Sequence, residues 1–272
     1  MLILPPEWRQ LWPDRDPFDA LFVLQGEEFR NMDGRRTLRF ELLGRSYFAK
    51  LYSGLGWGRL LGSLLRLRRP PVSSASNEWL ACQILARLGV ETLKPVAYGE
   101  RGRNPVTRQS FLITEELKPT VSLEDFCRDW ARQPPPVRLK RALITRLALI
   151  SRTLHEQGIN HRDYYLCHFL LQVADGATVD PADFHLYLID LHRVQFRQRL
   201  PLRWRIKDLA GLYFSSLGMG LTVRDYCRFI RLYSALPLRQ ALRRQARLWR
   251  RVERRGVQLR RRFVRKYAPG PS

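Results

Sequence analysis

Long apolar runs are missing from this sequence. No stretch approaches the roughly 18 uncharged residues that cross a bilayer, so no transmembrane anchor is expected. Cysteine is scarce as well. The four residues, Cys82, Cys127, Cys167 and Cys227, are widely scattered and form no C-x-x-C pair, which argues against a zinc ribbon or a disulfide framework and fits a reducing cytoplasm. The first residues, Met1 to Glu7, lack a cationic stretch followed by an apolar one, so no signal peptide is expected. Acid is also in short supply: 25 Asp and Glu stand against 48 Lys and Arg, a net charge of +23. That imbalance implies a polyanionic partner, whether nucleic acid, an anionic membrane face, a phosphorylated substrate or an acidic protein.

What is present describes a globular chain. Its 272 residues, 45% of them hydrophobic, suffice for one large domain or two lobes. Residues 1 to about 25 show no clear period and read as a loosely structured leader packed on the first sheet. From Glu28 short strand-like runs alternate with turn signals at Met32-Asp33-Gly34 and Gly44-Arg45, predicting three antiparallel strands with Lys50 in the third. Residues 53–75 read as a flexible, basic and apolar insertion suited to a membrane interface or a partner. Ser76 or Asn77 caps a predicted helix to about Leu88, with Leu80, Ile84 and Leu88 as its buried stripe, Glu78 in its first turn and Gly89 as its stop. Two more strands follow, over 92–99 and 110–117, and Thr114 to Leu117, including Glu115, read as a hinge whose backbone meets an adenine edge.

After Leu117 the pattern turns helical. Helices are predicted over 122–132 and about 137–157, the second with Leu143, Leu147, Ile150 and Leu154 buried and Gly158 ending it. Directly after it comes His161-Arg162-Asp163, then His168 at the start of an apolar run, then a second run ending in Asp190. This is close to the H-R-D-x-x-x-x-N loop of kinases, in which the Asp takes the proton of the attacking hydroxyl and a later Asp holds Mg²⁺. His168 stands where Asn is expected. Only a short basic connection separates Asp190 from a helix with Asp208, expected to be a structural acid under the catalytic loop. A peptide-binding segment therefore has no room, which favours a small-molecule or glycolipid acceptor. The end of the chain, Leu238 to Lys266, is arginine-dense, with Leu238, Leu242, Trp249 and Val252 at helical spacing.

The order of these pieces predicts an α+β, bilobal, protein-kinase-like fold: a small antiparallel sheet in residues 1–117 and a mainly helical lobe in 118–272. His161 and Arg162 are then structural members of the catalytic loop. Gly34 is the one glycine of a phosphate-covering turn that lacks G-x-G-x-x-G, where Arg35 and Arg36 are candidates to supply charge instead.

The stretch HRDYYLCHFLL from His161 to Leu171 and the later IDLHR from Ile189, in a basic chain of this length, resemble the lipopolysaccharide core heptose(I) kinase family of Gram-negative bacteria over nearly the whole chain. The resemblance implies transfer of the γ-phosphate of ATP to the first heptose of the inner core, on the cytoplasmic face of the inner membrane. It makes Asp163 the base, Lys50 the phosphate-binding lysine, Glu78 its partner, Asp190 the Mg²⁺ ligand, and places His168 at the metal site. It also implies association with an acylated acyl carrier protein, and the charge suits both that partner and an anionic membrane surface. Because Mg²⁺ prefers oxygen, one ion held through Asp190 is expected, with His168 orienting Asp163 or a water. Two other readings stand behind this one. A metal-dependent phosphohydrolase built on His161, Asp163, His168, Asp190 and His192 leaves Lys50 and Glu78 without work. A basic nucleic-acid-binding module lacks any recognised signature, so no nucleic-acid partner is expected.

Overall fold

The structure, a computed structural model, describes residues 1–32, 34–54, 74–104, 106–173 and 178–267. Most of the predicted insertion at 53–75 lies outside these residues, as do Asp33 in the first turn and part of the loop before Asp183. The chain forms two compact units. The first holds Met1–Arg87, Thr92–Leu117 and Leu191–Arg193; the second holds Leu88–Glu91, Lys118–Asp190 and Val194–Ser272.

The first unit is built on a six-stranded antiparallel sheet of β1 (Leu2–Ile3), β2 (Glu27–Met32), β3 (Arg35–Leu42), β4 (Arg45–Tyr52), β5 (Pro95–Arg101) and β6 (Gln109–Glu115), in the order β1-β5-β6-β4-β3-β2. Alternation along β4 sorts its side chains. Tyr47, Ala49 and Leu51 pack with Trp8, Phe18 and Leu21 of two short helices, α1 (Pro6–Gln10) and α2 (Pro17–Phe22). The leader is thus ordered, contrary to the sequence expectation. Its apolar residues lack helical period because they lie on two short helices and a strand, and Asp16 caps α2 by accepting from the amides of Phe18 and Asp19. Lys50 falls on the opposite face of β4 by the same alternation.

On that opposite face lies α3 (Ser76–Arg87), ended by Gly89 at φ +69°. Its buried residues are Glu78, Ala81, Cys82 and Leu85, whereas Leu80 is 45% exposed. The predicted stripe of Leu80, Ile84 and Leu88 is therefore rotated from the real one. The periodicity of leucines misled because the face turned to the sheet is fixed by a charged residue, Glu78, which periodicity scores as solvent-facing.

The second unit is mainly helical. After β7 (Thr120–Ser122) a single short helix, α4 (Leu123–Phe126), replaces the predicted helix to 132: Ser122 caps it, but the chain continues as turns rather than helix beyond Phe126. α5 (Val137–Glu156) buries the expected Leu143, Leu147, Ile150 and Leu154, and also Ser151 and His155. Gly158 follows at φ +72°, where a Cβ would overlap the Arg197 carbonyl, so the reversal after α5 admits only glycine. β8 (Ile159–Asn160) pairs with β11 (Gln195–Phe196), and β9 (Phe169–Gln172) lies between β7 and β10 (Leu186–Leu188). Four helices complete the unit: α6 (Leu202–Ser216), α7 (Val223–Ser234), α8 (Leu238–Arg244) and α9 (Ala246–Tyr267). The arginine-dense end is thus two helices, and its buried line runs through Ala241, Leu248, Val252 and Gly256, with Leu242 exposed. The α+β class and the succession of a small antiparallel sheet followed by helices agree with the sequence reading.

Candidate active site

In the first unit Lys50 and Glu78 meet. Strand register places Lys50 opposite Leu112 of β6 and Thr37 of β3, and its Nζ lies 2.5 Å from Glu78 Oε1. Glu78 is fully buried, and among the described residues its Oε2 has no hydrogen-bond partner. Desolvation of this carboxylate is costly unless a cation compensates it, so the pair holds the ammonium in one place. Cys82, one turn along α3, is pushed up to about 12 by burial and by the Glu78 charge, and remains a neutral thiol. Asn77 of α3 donates to the carbonyls of Leu191 and His192, at 3.4 and 3.0 Å.

Other residues of the predicted nucleotide side are placed as follows. Gly34 lies between β2 and β3 at φ +70°. Arg36 is held by Glu28 at 2.5 Å, and Arg35 lies 5.5 Å from the Tyr52 ring. Each of these two arginines thus has a local partner. Glu115 ends β6 with its amide donating to Lys94 O at 3.0 Å, and Leu117 ends the Thr92–Leu117 stretch of the first unit.

In the second unit the candidate catalytic segment is pinned from beneath. Asp208 of α6 is 1% exposed, and its two oxygens accept the backbone N–H groups of His161 and Arg162 at 2.7 and 2.9 Å. These bonds fix the turn that presents Asp163, with Arg162 at φ +77°, a conformation that costs a non-glycine residue on the order of 1–3 kcal/mol. His161 Nε2 lies 2.9 Å from Ile189 O, and since a carbonyl can only accept, that nitrogen carries the proton. The Ile189 amide in turn donates to His168 O at 2.9 Å. Asp190 follows at φ +63°. The backbone of Ile189, the residue before it, is held to both histidines.

His168 links Asp163 to Asp190, the predicted base and metal ligand. Its Nδ1 is 2.6 Å from Asp163 O and must donate there, which leaves the Nε2 lone pair 3.6 Å from Asp190 Oδ2. A carboxylate and a bare imidazole nitrogen facing each other suit a cation. Among the described residues no group of three or more His, Cys, Asp or Glu side chains is placed to bind a metal.

Sequence reasoning missed two elements. Lys207 donates to Arg162 O, and its Nζ is 4.0 Å from Asp163 Oδ1. Its adjacency to Asp208 on α6 was the available signal. The second is a buried chain behind Asp208: Arg205 Nε donates to Tyr233 OH (3.0 Å), which donates to His155 Nδ1 (2.8 Å), and His155 Nε2 stands 3.6 Å from Asp208 Oδ2. That last spacing is too long for a hydrogen bond, so its effect is electrostatic. Burial holds both His155 and His161 below their usual range, outweighing the pull of Asp208 on His155 and of the Ile189 carbonyl and Asp208 on His161.

The second unit also holds a half-open apolar cavity of about 670 Å³ among α4, α5, α6, α7, α8 and α9, lined by Leu143, Leu147, Leu212, Met219, Phe229 and Trp249. Leu166, three residues after Asp163, forms part of its wall. No helix among the described residues is long and apolar enough to cross a membrane.

The family described as "Lipopolysaccharide kinase (Kdo/WaaP) family" matches residues 19–233. A lipopolysaccharide core heptose(I) kinase WaaP of Escherichia coli is 48% identical over 266 residues, covering 98% of this chain and 99% of that protein. One from Pseudomonas aeruginosa is 50% identical over 258 residues, covering 95% of each. A solved structure described as WaaP in complex with acyl carrier protein superposes with a TM-score of 0.80 at 47% identity, covering 95% of this chain and 99% of that one.

Two outcomes are expected. Lys50→Met strands the buried Glu78 carboxylate and should lower the unfolding free energy by roughly 3–5 kcal/mol, much of which the double change with Glu78→Leu should restore; denaturant unfolding checks both. Because His155 stays neutral when folded but gains a proton near pH 6.5 when unfolded, the unfolded state binds more protons below that pH. Stability should therefore fall as pH drops from 6.5, by up to about 1.4 kcal/mol per pH unit for this residue. The stability profile of His155→Gln should be flatter than that of the unaltered protein, and equal slopes would contradict the assignment.

Proposed function

The chain belongs to the lipopolysaccharide kinase (Kdo/WaaP) family, and on that premise we propose that it transfers the γ-phosphate of ATP to a hydroxyl of the first heptose of the lipopolysaccharide inner core. The observation that carries this reading is the Asp208 clamp under His161 and Arg162, which presents the Asp163 carboxylate at a fixed turn. Asp163 accepts the proton of the heptose hydroxyl as its oxygen forms a bond to the γ-phosphorus and the bond to the ADP oxygen breaks. Lys207, beside Asp163, holds positive charge where the phosphoryl group arrives. Lys50, held by Glu78, binds the ATP phosphates, and the segment around Gly34 covers them. The peptide groups from Glu115 to Leu117 receive the adenine.

The facing Asp190 carboxylate and His168 Nε2 fit Mg²⁺, with Asp190 as the oxygen ligand and His168 holding a bound water or the ion itself. Bound there, the ion would neutralise charge on the ATP phosphates.

Acylated acyl carrier protein is the partner we propose. The structural relative is a complex with acyl carrier protein, a strongly basic surface suits an acidic protein, and the 670 Å³ apolar cavity is of a size and lining suited to a long acyl chain. Substrate and charge support a peripheral position on the cytoplasmic face of the inner membrane, where each Lys or Arg near anionic lipid adds ~1 kcal/mol.

Labelled γ-phosphate should move from ATP to dephosphorylated inner-core lipopolysaccharide with Mg²⁺ present. Asp163→Ala should slow this at least about a hundredfold while leaving ATP binding intact. Release of free phosphate without labelled sugar would favour hydrolysis and overturn the proposal.

A further inference from the structure

A file of aromatic rings leaves the catalytic segment and runs to the end of the chain's last helix. It begins at Tyr165, two residues after Asp163, whose ring centroid is 6.2 Å from that of His168. Phe214 of α6 follows at 6.2 Å, Phe263 of α9 at 5.8 Å and Tyr267 at 4.9 Å. Gly211 allows the start of the file, because a Cβ there would press on both the Tyr164 carbonyl and the Tyr165 ring. Exposure rises outward: Tyr165 and Phe214 are half-buried, Phe263 is 48% exposed and Tyr267 61%.

The surroundings of the outer rings are cationic. Arg260 lies on the same helix face as Phe263, Val264 and Tyr267 by its spacing of three, four and seven residues, and its guanidinium reaches Leu217 O at 3.5 Å. Lys266 Nζ stands 5.0 Å from the Tyr267 ring. Arg261, Arg262 and Arg265 are exposed on the same turns. Neither folding nor solubility calls for two large aromatic residues on so basic a helix end, and such a patch marks a contact surface.

We propose that this file is the platform for the acceptor glycan, gripping sugar units beyond the one that receives phosphate. The inference rests on transfer to a core sugar, as proposed above. Continuity with the catalytic segment argues for this occupant, since the acceptor hydroxyl must reach Asp163 and the file starts there. Its chemistry agrees. The C–H faces of pyranose rings stack on aromatic rings, the centroid spacing is comparable with that of successive linked sugars, and guanidinium groups pair with acidic sugar carboxylates and phosphates. A bilayer or an acidic protein would also accept an aromatic and basic tip, but neither requires the file to begin beside the catalytic base.

The probe is deacylated inner-core oligosaccharide, which has no lipid. Titration calorimetry without ATP and steady-state transfer assays would use the full chain, with acyl carrier protein supplied, and the double variant Phe263→Ser with Tyr267→Ser. Oligosaccharide affinity should fall about tenfold, and KM for the oligosaccharide should rise by a similar factor with kcat and KM for ATP unchanged. Phe263→Tyr with Tyr267→Phe should retain the affinity. Unchanged affinity for the soluble oligosaccharide overturns the proposal. If weakening then appeared only with anionic vesicles, the tip would be a membrane contact; if only with the carrier, a carrier contact. Binding that depends on the rings without phosphate transfer would instead count against the kinase reading and leave the platform standing.

Discussion

Two backbone amides bonded to one buried carboxylate hold the catalytic segment in place. Asp208 accepts from His161 and Arg162, and charge-assisted bonds of this kind are each worth about 1.5–3 kcal/mol. They compensate the left-handed backbone at Arg162. From the pinned segment outward, His161 fixes Ile189, Ile189 fixes His168, and His168 fixes the Asp163 carbonyl. Asp163, the proposed base, and the facing His168 and Asp190 are therefore tied into one hydrogen-bonded assembly, and Arg205, Tyr233 and His155 support its anchor from within the helical core.

The Lys50–Glu78 pair follows a similar logic in the first unit. Strand alternation alone turns Lys50 away from the Trp8 and Phe18 cluster, and burial of Glu78 commits that carboxylate to the Lys50 ammonium. Each unit thus uses a fully desolvated acid to hold a functional group still: Glu78 for an ammonium, Asp208 for a peptide turn. In both cases the cost of burying the acid is what makes the geometry specific.

Much of this was legible in the sequence because order carries information that single residues do not. Lys50 in a third strand, Glu78 in the next helix, His161 to Asp163 after a long helix, and Asp208 beyond a short connection could be named before any coordinates, and so could the sheet-then-helix class. The misses have physical causes. Leucine spacing placed the wrong face of α3 inward because the real face includes a charge. The N-terminal leader looked formless because two-turn helices are too short to show a period. Lys207 and Tyr233 act through contacts 44 or more residues from the catalytic segment in the chain, which neither local pattern nor charge reveals. The cavity behind Leu166 is a property of several packed helices and has no local sequence mark.

The most direct test of this account is the rate of a single turnover of γ-phosphate transfer in Asp208→Asn. An amide keeps the shape but can accept only one of the two N–H groups and carries no charge. The account predicts a rate lower by about tenfold to a hundredfold, with ATP affinity unchanged and cooperative unfolding retained. A rate equal to that of the unaltered protein would contradict it, and the clamp beneath His161 and Arg162 would then be a feature of the fold without a part in the chemistry.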